Sequence, residues 1–497
     1  MDRTVVIGLD GFHKDLLPYT PTIQDRYLKN GTELESTSPP VTAPAWASFQ
    51  TGKTQGKHGI YDFVTFDENF ERTILDGRSL RSMTFYESLA QTGLKCYLQN
   101  LPFALPPRLE GDIMPSWLDD DDVGPHPSDL ASELDVDPPI YPEFDGNREE
   151  NISEMSACFA RNRDLFLSIM EHRVHDFLFH LVSVTDWLQH IAYLDLIDGR
   201  ETAITEAATG LLRDVDEYVA ILENRLDETD NLILISDHGF KRYEGSIYIN
   251  DWLAEEDYLK RDSSGIHLSV KSDNSGSSIN AGTIGRWIRH NPVVHDLIRP
   301  AKQLVEHIIG VEFITDTGVD MSRTRAYCRS KDEHAIRIAD NVDDREGLAI
   351  EIQNQLNQLE GISATLGSDL YEGPYVDAAG DVIVSGLTHH PQRGPVGEVF
   401  SPIPIAHHSK TGILVGLGPA FTLPPTEARL IDIAPTLLYL NRCAIPRDCD
   451  GEALVDWLWA DHDLSYHDST EWTPPSNDSS NNPRDIVENR LEQLGYL

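Results

Sequence analysis

The 497-residue chain is short of cations, short of cysteine, and without any long apolar run. Lys and Arg number 40 against 82 Asp and Glu, which leaves a formal charge of −42. Lysine is the scarcer cation, with 11 against 29 Arg. No basic stripe exists to follow a phosphate backbone, which argues against binding to duplex nucleic acid. The same deficit argues against docking on anionic lipid. No run approaches the ~18 consecutive apolar residues that a membrane span needs. The five cysteines (Cys96, Cys158, Cys328, Cys443 and Cys449) are odd in number and show no Cys-x-x-Cys spacing. Reduced thiols are expected. The chain enters the apolar run Thr4–Leu9 at once, with no basic and then apolar leader ahead of it. A cytoplasmic location is the expectation.

What is present in excess is acid, 49 Asp and 33 Glu spread along the chain, as in Asp119 to Asp122. A strongly anionic surface keeps a protein soluble where salt screens charge. Salt adaptation is therefore expected. Hydrophobic residues make up 40%, enough for a sizeable core.

Strand-like runs stand at 4–9, 94–98, 177–184 and 231–235. They are continuously apolar, as strands buried on both faces should be. Helical patterns separate them, including a long one over about 200–225. This order predicts an α/β fold with a doubly wound, mostly parallel sheet and helices on both faces. Residues 262–282 read as a loop, 284–310 as one or two amphipathic helices. A smaller α+β stretch follows, with strands at 335–339 and 381–385 around a helix at 346–358. A buried strand at 412–416 and an apolar helix at 431–440 come next. The expected division is a catalytic core of 1–240 and 401–460, an inserted cap of 241–400, and a polar tail of 461–497. Within that tail, 463–484 reads as a linker and 485–497 as a short helix.

Chemistry-bearing side chains gather just beyond the strand-like runs, where doubly wound sheets bind ligands. Gly8-Leu9-Asp10-Gly11 ends the first run. Asp10 alone would pass for a helix cap. Pro39-Pro40-Val41-Thr42-Ala43-Pro44 places Thr42 at an expected N-cap with Pro44 in the first turn. A helix start favours an anion, and a nearby metal would activate the hydroxyl as a nucleophile. Asp186 and His190 are four residues apart, so a helix would put them on one face. Ser236-Asp237-His238-Gly239 follows Ile235 directly, and two such side chains at a strand end are hard to explain as packing. Finally, His407 and His408 precede the buried run at 412–416, and one of them can complete a site.

Taken together, these segments resemble the alkaline phosphatase superfamily, and most closely its type I phosphodiesterase/nucleotide pyrophosphatase branch. The resemblance rests on Gly8-Leu9-Asp10-Gly11, on Pro39 to Trp46 with Thr51–Ile60, on Thr185-Asp186-Trp187-Leu188-Gln189-His190 and on Ser236-Asp237-His238-Gly239-Phe240, in the family's order. It implies two divalent metal ions, usually zinc, with manganese as the other choice. It implies Asp10, Thr42, Asp237 and His238 as ligands of one ion, and Asp186, His190 and His408 as ligands of the other. His408 is chosen over His407 because the family pattern is His, three residues, then Gly-Ile, and here Gly412-Ile413 follow at that spacing. The implied substrate is a small phosphoester. The implied reaction is two in-line displacements with Thr42 as nucleophile and a phosphothreonine intermediate. Two departures bear on specificity. Ala45 stands where the branch usually has Asn, so a phosphoryl oxygen must be held otherwise. Neither the Cys-x-Pro-x-Arg of sulfatases nor the Asp-Ser-Ala of alkaline phosphatases is present. The alternatives are a phosphonate or phosphomonoester hydrolase, a phosphotransferase of the same superfamily, or a metal-stabilised scaffold without turnover.

Overall fold

Continuous apolar runs, with no alternation to leave a wet face, become the middle of a seven-stranded sheet. The computed structural model describes residues 3–67, 71–108, 110–134, 136–261, 269–270, 311–312, 319–329, 334–394, 397–459, 462–468, 485–494 and 496. Thr4–Leu9 lies between Asn231–Ile235 and Phe177–Val182, all three parallel and buried throughout. Cys96–Gln99 and Asp112–Met114 extend the parallel part beyond Phe177–Val182. On the other side, Thr411–Leu417 runs antiparallel to Asn231–Ile235, and Gly31–Glu35 runs antiparallel to it in turn.

Alternate residues of the first strand feed two cores. Val5, Ile7 and Leu9 join the helices Arg148–His172, Val184–Ile197 and Ala203–Arg225 on one face. Val6 points to the other face, with Trp46 and Phe49 of Thr42–Thr51 and Leu437 of Ile433–Leu440. The doubly wound architecture is thus formed. Two boundaries move. The strand expected over 177–184 ends at Val182, because Val184 already opens a helix. The strand expected at 94–98 is Cys96–Gln99.

Beyond Ile235 the chain leaves the sheet as Gly239–Tyr243, which pairs antiparallel with Ile405–Ser409. Between these two ribbon strands lies a four-stranded antiparallel sheet, in the order Ala326–Tyr327, Ala335–Ile338, Val382–Gly386, Ile362–Leu366. The helix Arg345–Leu356 covers one face, burying Leu348, Ile352 and Leu356 against Ile336, Ala364 and Val384. The readings of 262–282 and 284–310 lie outside the described residues, apart from 269–270, which pair with 311–312. So does most of the linker read at 463–484. The helix read over 485–497 forms as Asp485–Leu494 and buries Val487 and Leu491 in the first core. Its Arg490 donates to the carboxylate of Asp121 at 2.8 Å. All five cysteines are free thiols, and no described helix is long and apolar enough to cross a membrane.

Candidate metal centre and nucleophile

Three adjacent parallel strands end in register, Gly8 opposite both Ile235 and Leu181. Asp10, Asp237 and the helix bearing Asp186 therefore emerge at one sheet edge. That helix is tied to the loop after the first strand by two bonds: Thr185 Oγ1 donates to the Asp10 carbonyl at 2.6 Å and Gln189 Nε2 to the Gly11 carbonyl at 2.7 Å. Gly11 has φ 62°, and a Cβ there would lie 2.7 Å from Asp186 Oδ1. Only glycine lets the loop turn left-handed and the carboxylate come this close.

The structure gathers all seven residues singled out in the sequence. His238 is central. Its Nε2 lies 3.1 Å from Thr42 Oγ1, 3.4 Å from Asp237 Oδ2 and 3.8 Å from Asp10 Oδ1. On the far side, Asp186 Oδ1 is 3.2 Å from His408 Nε2, and Asp186 Oδ2 is 3.4 Å from His190 Nε2. The two imidazole Nε2 atoms are 3.1 Å apart. Asp10, Asp237 and His238 offer ligand atoms within 4.8 Å of one another, and so do Asp186, His238 and His408. His238 belongs to both groups, while His190 stands at the edge of the second.

Thr42 is not an N-cap. Val41 holds that position, with extended φ −112° and ψ 138°, and its carbonyl takes the Ala45 amide at 3.0 Å. Thr42 is the first helical residue, so its hydroxyl is not spent on capping and faces His238 instead. Pro44 brings no N–H to the first turn, and the first amides of a helix lack internal acceptors, which favours an anion there. Ala45 packs fully buried beside Trp46 in the second core. The segment after the helix serves structure: Lys53 pairs with Asp448 at 2.5 Å, Lys57 with Asp450, and His58 with Ser48 Oγ at 2.9 Å. Burial lowers the His58 pKa to about 3, so it is a neutral packing partner.

The imidazoles are held in the tautomer that a metal requires. His408 Nδ1 lies 3.1 Å from the Pro40 carbonyl and His238 Nδ1 lies 3.2 Å from the Gly239 carbonyl. A carbonyl only accepts, so each Nδ1 carries a proton; burial keeps His238 neutral, so its Nε2 offers a lone pair to the cluster, while His408 Nε2 faces Asp186. His408 and Phe240 are opposite one another in the ribbon, as are His407 and Lys241. His407 stacks on His390 at 3.9 Å and meets the His190 ring edge-on at 5.5 Å, but it belongs to neither group of converging ligand atoms.

Three buried carboxylates converge here, and among the described residues their ion-pair partners are imidazoles, with no Lys or Arg. Burial, then Asp237 and Asp186, hold Asp10 well above the usual carboxylate range. Burial pushes Asp237 up to about 8, against the bond it accepts from the Gly11 amide. Burial also raises Asp186, but His190 and His408 outweigh it and hold the carboxyl well below its ordinary value. Asp10 Oδ1, Asp237 Oδ2 and Asp186 Oδ1 are buried without a hydrogen-bond partner. Orphaned buried acceptors around imidazole lone pairs suit divalent cations and little else.

One participant escaped the sequence reading. Tyr496, just past the helix Asp485–Leu494, is buried and donates its hydroxyl to Asp186 Oδ2 at 2.7 Å. Its ring packs on Phe63 at 4.8 Å and on His190 at 5.6 Å. It engages one oxygen of Asp186 and leaves the other, Oδ1, facing the cluster. Nothing in the local sequence marks a tyrosine so far from the other motifs.

Comparison with known proteins gives the same picture. The family model described as type I phosphodiesterase / nucleotide pyrophosphatase matches residues 4–303, more than half of the chain. No curated protein matches the sequence. Among solved structures, murine ectonucleotide pyrophosphatase / phosphodiesterase 5 is similar at 14% identity and TM-score 0.51, over 92% of this chain and 100% of that one. Phosphonoacetate hydrolase from Sinorhizobium meliloti 1021, solved with phosphonoformate, gives 15% and 0.55 over 89% and 95%. The alkaline phosphatase PafA gives 11% and 0.52 over 92% and 99%. At these identities the likeness is one of fold.

Proposed function

Because the chain belongs to the type I phosphodiesterase / nucleotide pyrophosphatase family and is a phosphoester hydrolase, we propose that it cleaves phosphodiesters or phosphoanhydrides with Thr42 as the nucleophile. The observation that carries this reading is the Thr42 hydroxyl, buried and 3.1 Å from His238 Nε2, at a helix start that faces three carboxylates. Asp10, Thr42, Asp237 and His238 would hold one divalent cation; Asp186, His190 and His408 would hold a second. Zinc fits the nitrogen and oxygen donors best, with manganese as substitute. When bound, the two cations supply the charge that lowers the pKa of a hydroxyl or water and neutralises phosphoryl oxygens.

The chain's own residues do the positioning. The first turn of Thr42–Thr51 aims Oγ1 at the sheet edge. Oγ1 gives up its proton to solvent and forms a bond to phosphorus in line with the leaving oxygen, whose bond to phosphorus breaks and which takes a proton from solvent as needed, giving a threonine phosphoester. Water then attacks the same phosphorus, the bond to Oγ1 breaks, and the hydroxyl is restored. Ala45 offers no amide side chain to a phosphoryl oxygen, which leaves that task to the amides of the helix start. The stretch 241–400 is read as a cap that selects the substrate. The five free thiols and the acidic surface fit a cytoplasm of high salt.

The test is hydrolysis of bis(p-nitrophenyl) phosphate at high salt, before and after chelation, with zinc or manganese added back. Activity that is lost to chelator and regained with metal supports the reading. Full activity in protein verified as metal-free overturns it.

A further inference from the structure

A cavity of about 470 Å³ opens beside the cluster, between the sheet edge and the four-stranded sheet of the cap region. Its floor includes Val41, next to Thr42, and His408. Its roof follows from strand alternation. In Ile362–Leu366 and Val382–Gly386, the side chains of Ile362, Ala364, Val382 and Val384 pack under the helix Arg345–Leu356. Their neighbours Ser363, Thr365 and Ser385 must then face the other way, and all three line the cavity.

The charge of this lining departs from that of the whole chain. Eighteen described residues line the cavity, and none of these is Asp or Glu, although the chain carries 82 of them. Two of its 11 lysines, Lys241 and Lys410, are there. A larger cavity of about 960 Å³, which shares Lys410 and Thr411 with this one, has six carboxylates, Glu33, Glu35, Glu427, Asp432, Glu452 and Asp456, in its wall. The absence of acid beside the cluster is therefore local.

Lys241 is built in place. Its ammonium lies 4.4 Å from the Tyr243 ring centre and donates to the carbonyls of Leu387 at 2.9 Å and Gly386 at 3.3 Å. An ammonium has three N–H donors, so one remains for a ligand. His334, also in the lining, takes a left-handed φ of 50° and buries Nε2 without a partner among the described residues. Among the described lining residues Tyr243 is the one Phe, Tyr or Trp, and its ring already carries the Lys241 ammonium.

We propose that this cavity is a subsite for a second anionic group of the substrate, a carboxylate or phosphate on the arm beyond the scissile phosphorus, with Lys241 as its cation and Ser363, Thr365 and Ser385 as hydroxyl donors. The proposal rests on the hydrolase reading above and narrows its substrate to a small dianionic ester. A chain of net charge −42 repels such an ester in general, so a local cation has to supply the attraction.

The experiment uses the metal-loaded full chain and three synthetic diesters: p-nitrophenyl ethyl phosphate, p-nitrophenyl 2-carboxyethyl phosphate and p-nitrophenyl 2-phosphonoethyl phosphate. The parent should prefer at least one charged arm over ethyl by about tenfold in kcat/KM, the scale of one charge-assisted hydrogen bond. The better of the two arms identifies the group. Lys241→Met should bring that ratio close to one, and a separate Ser363→Ala/Thr365→Val variant should lower it by severalfold. The second variant serves if the first fails to fold. Equal rates on all three esters in the parent overturn the subsite while leaving the hydrolase standing. So does an undiminished preference in both variants. Failure to cleave any of the three overturns the hydrolase reading itself.

Discussion

The two sides of the carboxylate–imidazole cluster differ in how they balance charge. Around Asp186 the balance is internal: His190 and His408 face its two oxygens and Tyr496 donates to one of them. Around Asp10 and Asp237 it is missing. These two carboxylates share His238, whose Nδ1 proton is turned away to a backbone carbonyl; the Gly11 amide donates to Asp237 and the Ser183 side chain to Asp10, neither of them a cation. Burial holds both carboxyls high, with the charges of Asp237 and Asp186 adding to it at Asp10 and that of Asp186 at Asp237. A fold keeps such a deficit only if something positive fills it. The Asp10 side is thus where a cation is most needed, and it is also where Thr42 sits.

Removing the nucleophile or the cations should have the largest effect. Thr42→Ala should lower kcat by about 10³-fold or more, in line with loss of an activated nucleophile. Thr42→Ser should keep part of the rate. Because Thr42 is not a cap, both variants should melt close to the parent, which thermal unfolding checks. Equal diester hydrolysis by Thr42→Ala would break the mechanism.

The next prediction opposes the two sides directly. In metal-free protein at neutral pH, Asp237→Asn should stabilise by about 1 kcal/mol, because folding no longer has to put a proton on a buried carboxylate, whereas Asp186→Asn should destabilise by ~3 kcal/mol by stripping its partners. Chemical denaturation in chelator reads both. The same asymmetry has a pH form. Asp237 is raised to about 8, so folded protein without metal keeps a proton that the unfolded chain has already released. That contribution is complete below the ordinary carboxylate range and is lost as pH rises through about 8. The melting temperature in chelator should therefore fall between pH 5.5 and pH 9, and Asp237→Asn should flatten the fall. A rise with pH in the parent would reverse the assignment.

Smaller effects sharpen the Asp186 side. His408→Ala should weaken metal binding by about 100-fold, and His407→Ala by less than tenfold, since His407 only packs on His190 and His390 and joins neither group of converging ligand atoms. Metal titration followed by elemental analysis separates the two. Tyr496→Phe removes the hydroxyl that holds Asp186 Oδ2. It should cost about 1 kcal/mol in stability and roughly tenfold in metal affinity, without changing which metal binds best.

The sheet was legible because its strands are apolar without interruption, and most of the cluster because acids and histidines stand at strand ends. Asp186 and His190 were legible as a pair because four residues make one helical turn. Other parts are set by contacts between distant segments. The place of Thr42 inside the helix depends on Val41 adopting the cap, and Pro39, Pro40 and Pro44 are compatible with either position. Tyr496 reaches Asp186 across 310 positions of sequence, and a lone tyrosine carries no spacing to signal that. The cationic lining beside the cluster is assembled from Lys241 and Lys410, whose separation in sequence gives no motif.

The most direct test of the central claim is peptide mass spectrometry on metal-loaded protein quenched in acid during turnover of bis(p-nitrophenyl) phosphate. A p-nitrophenyl phosphate ester on Thr42, absent from the Thr42→Ala variant and from chelated protein, is the predicted result. Steady turnover with Thr42 unmodified, or the adduct on a different residue, would contradict the account.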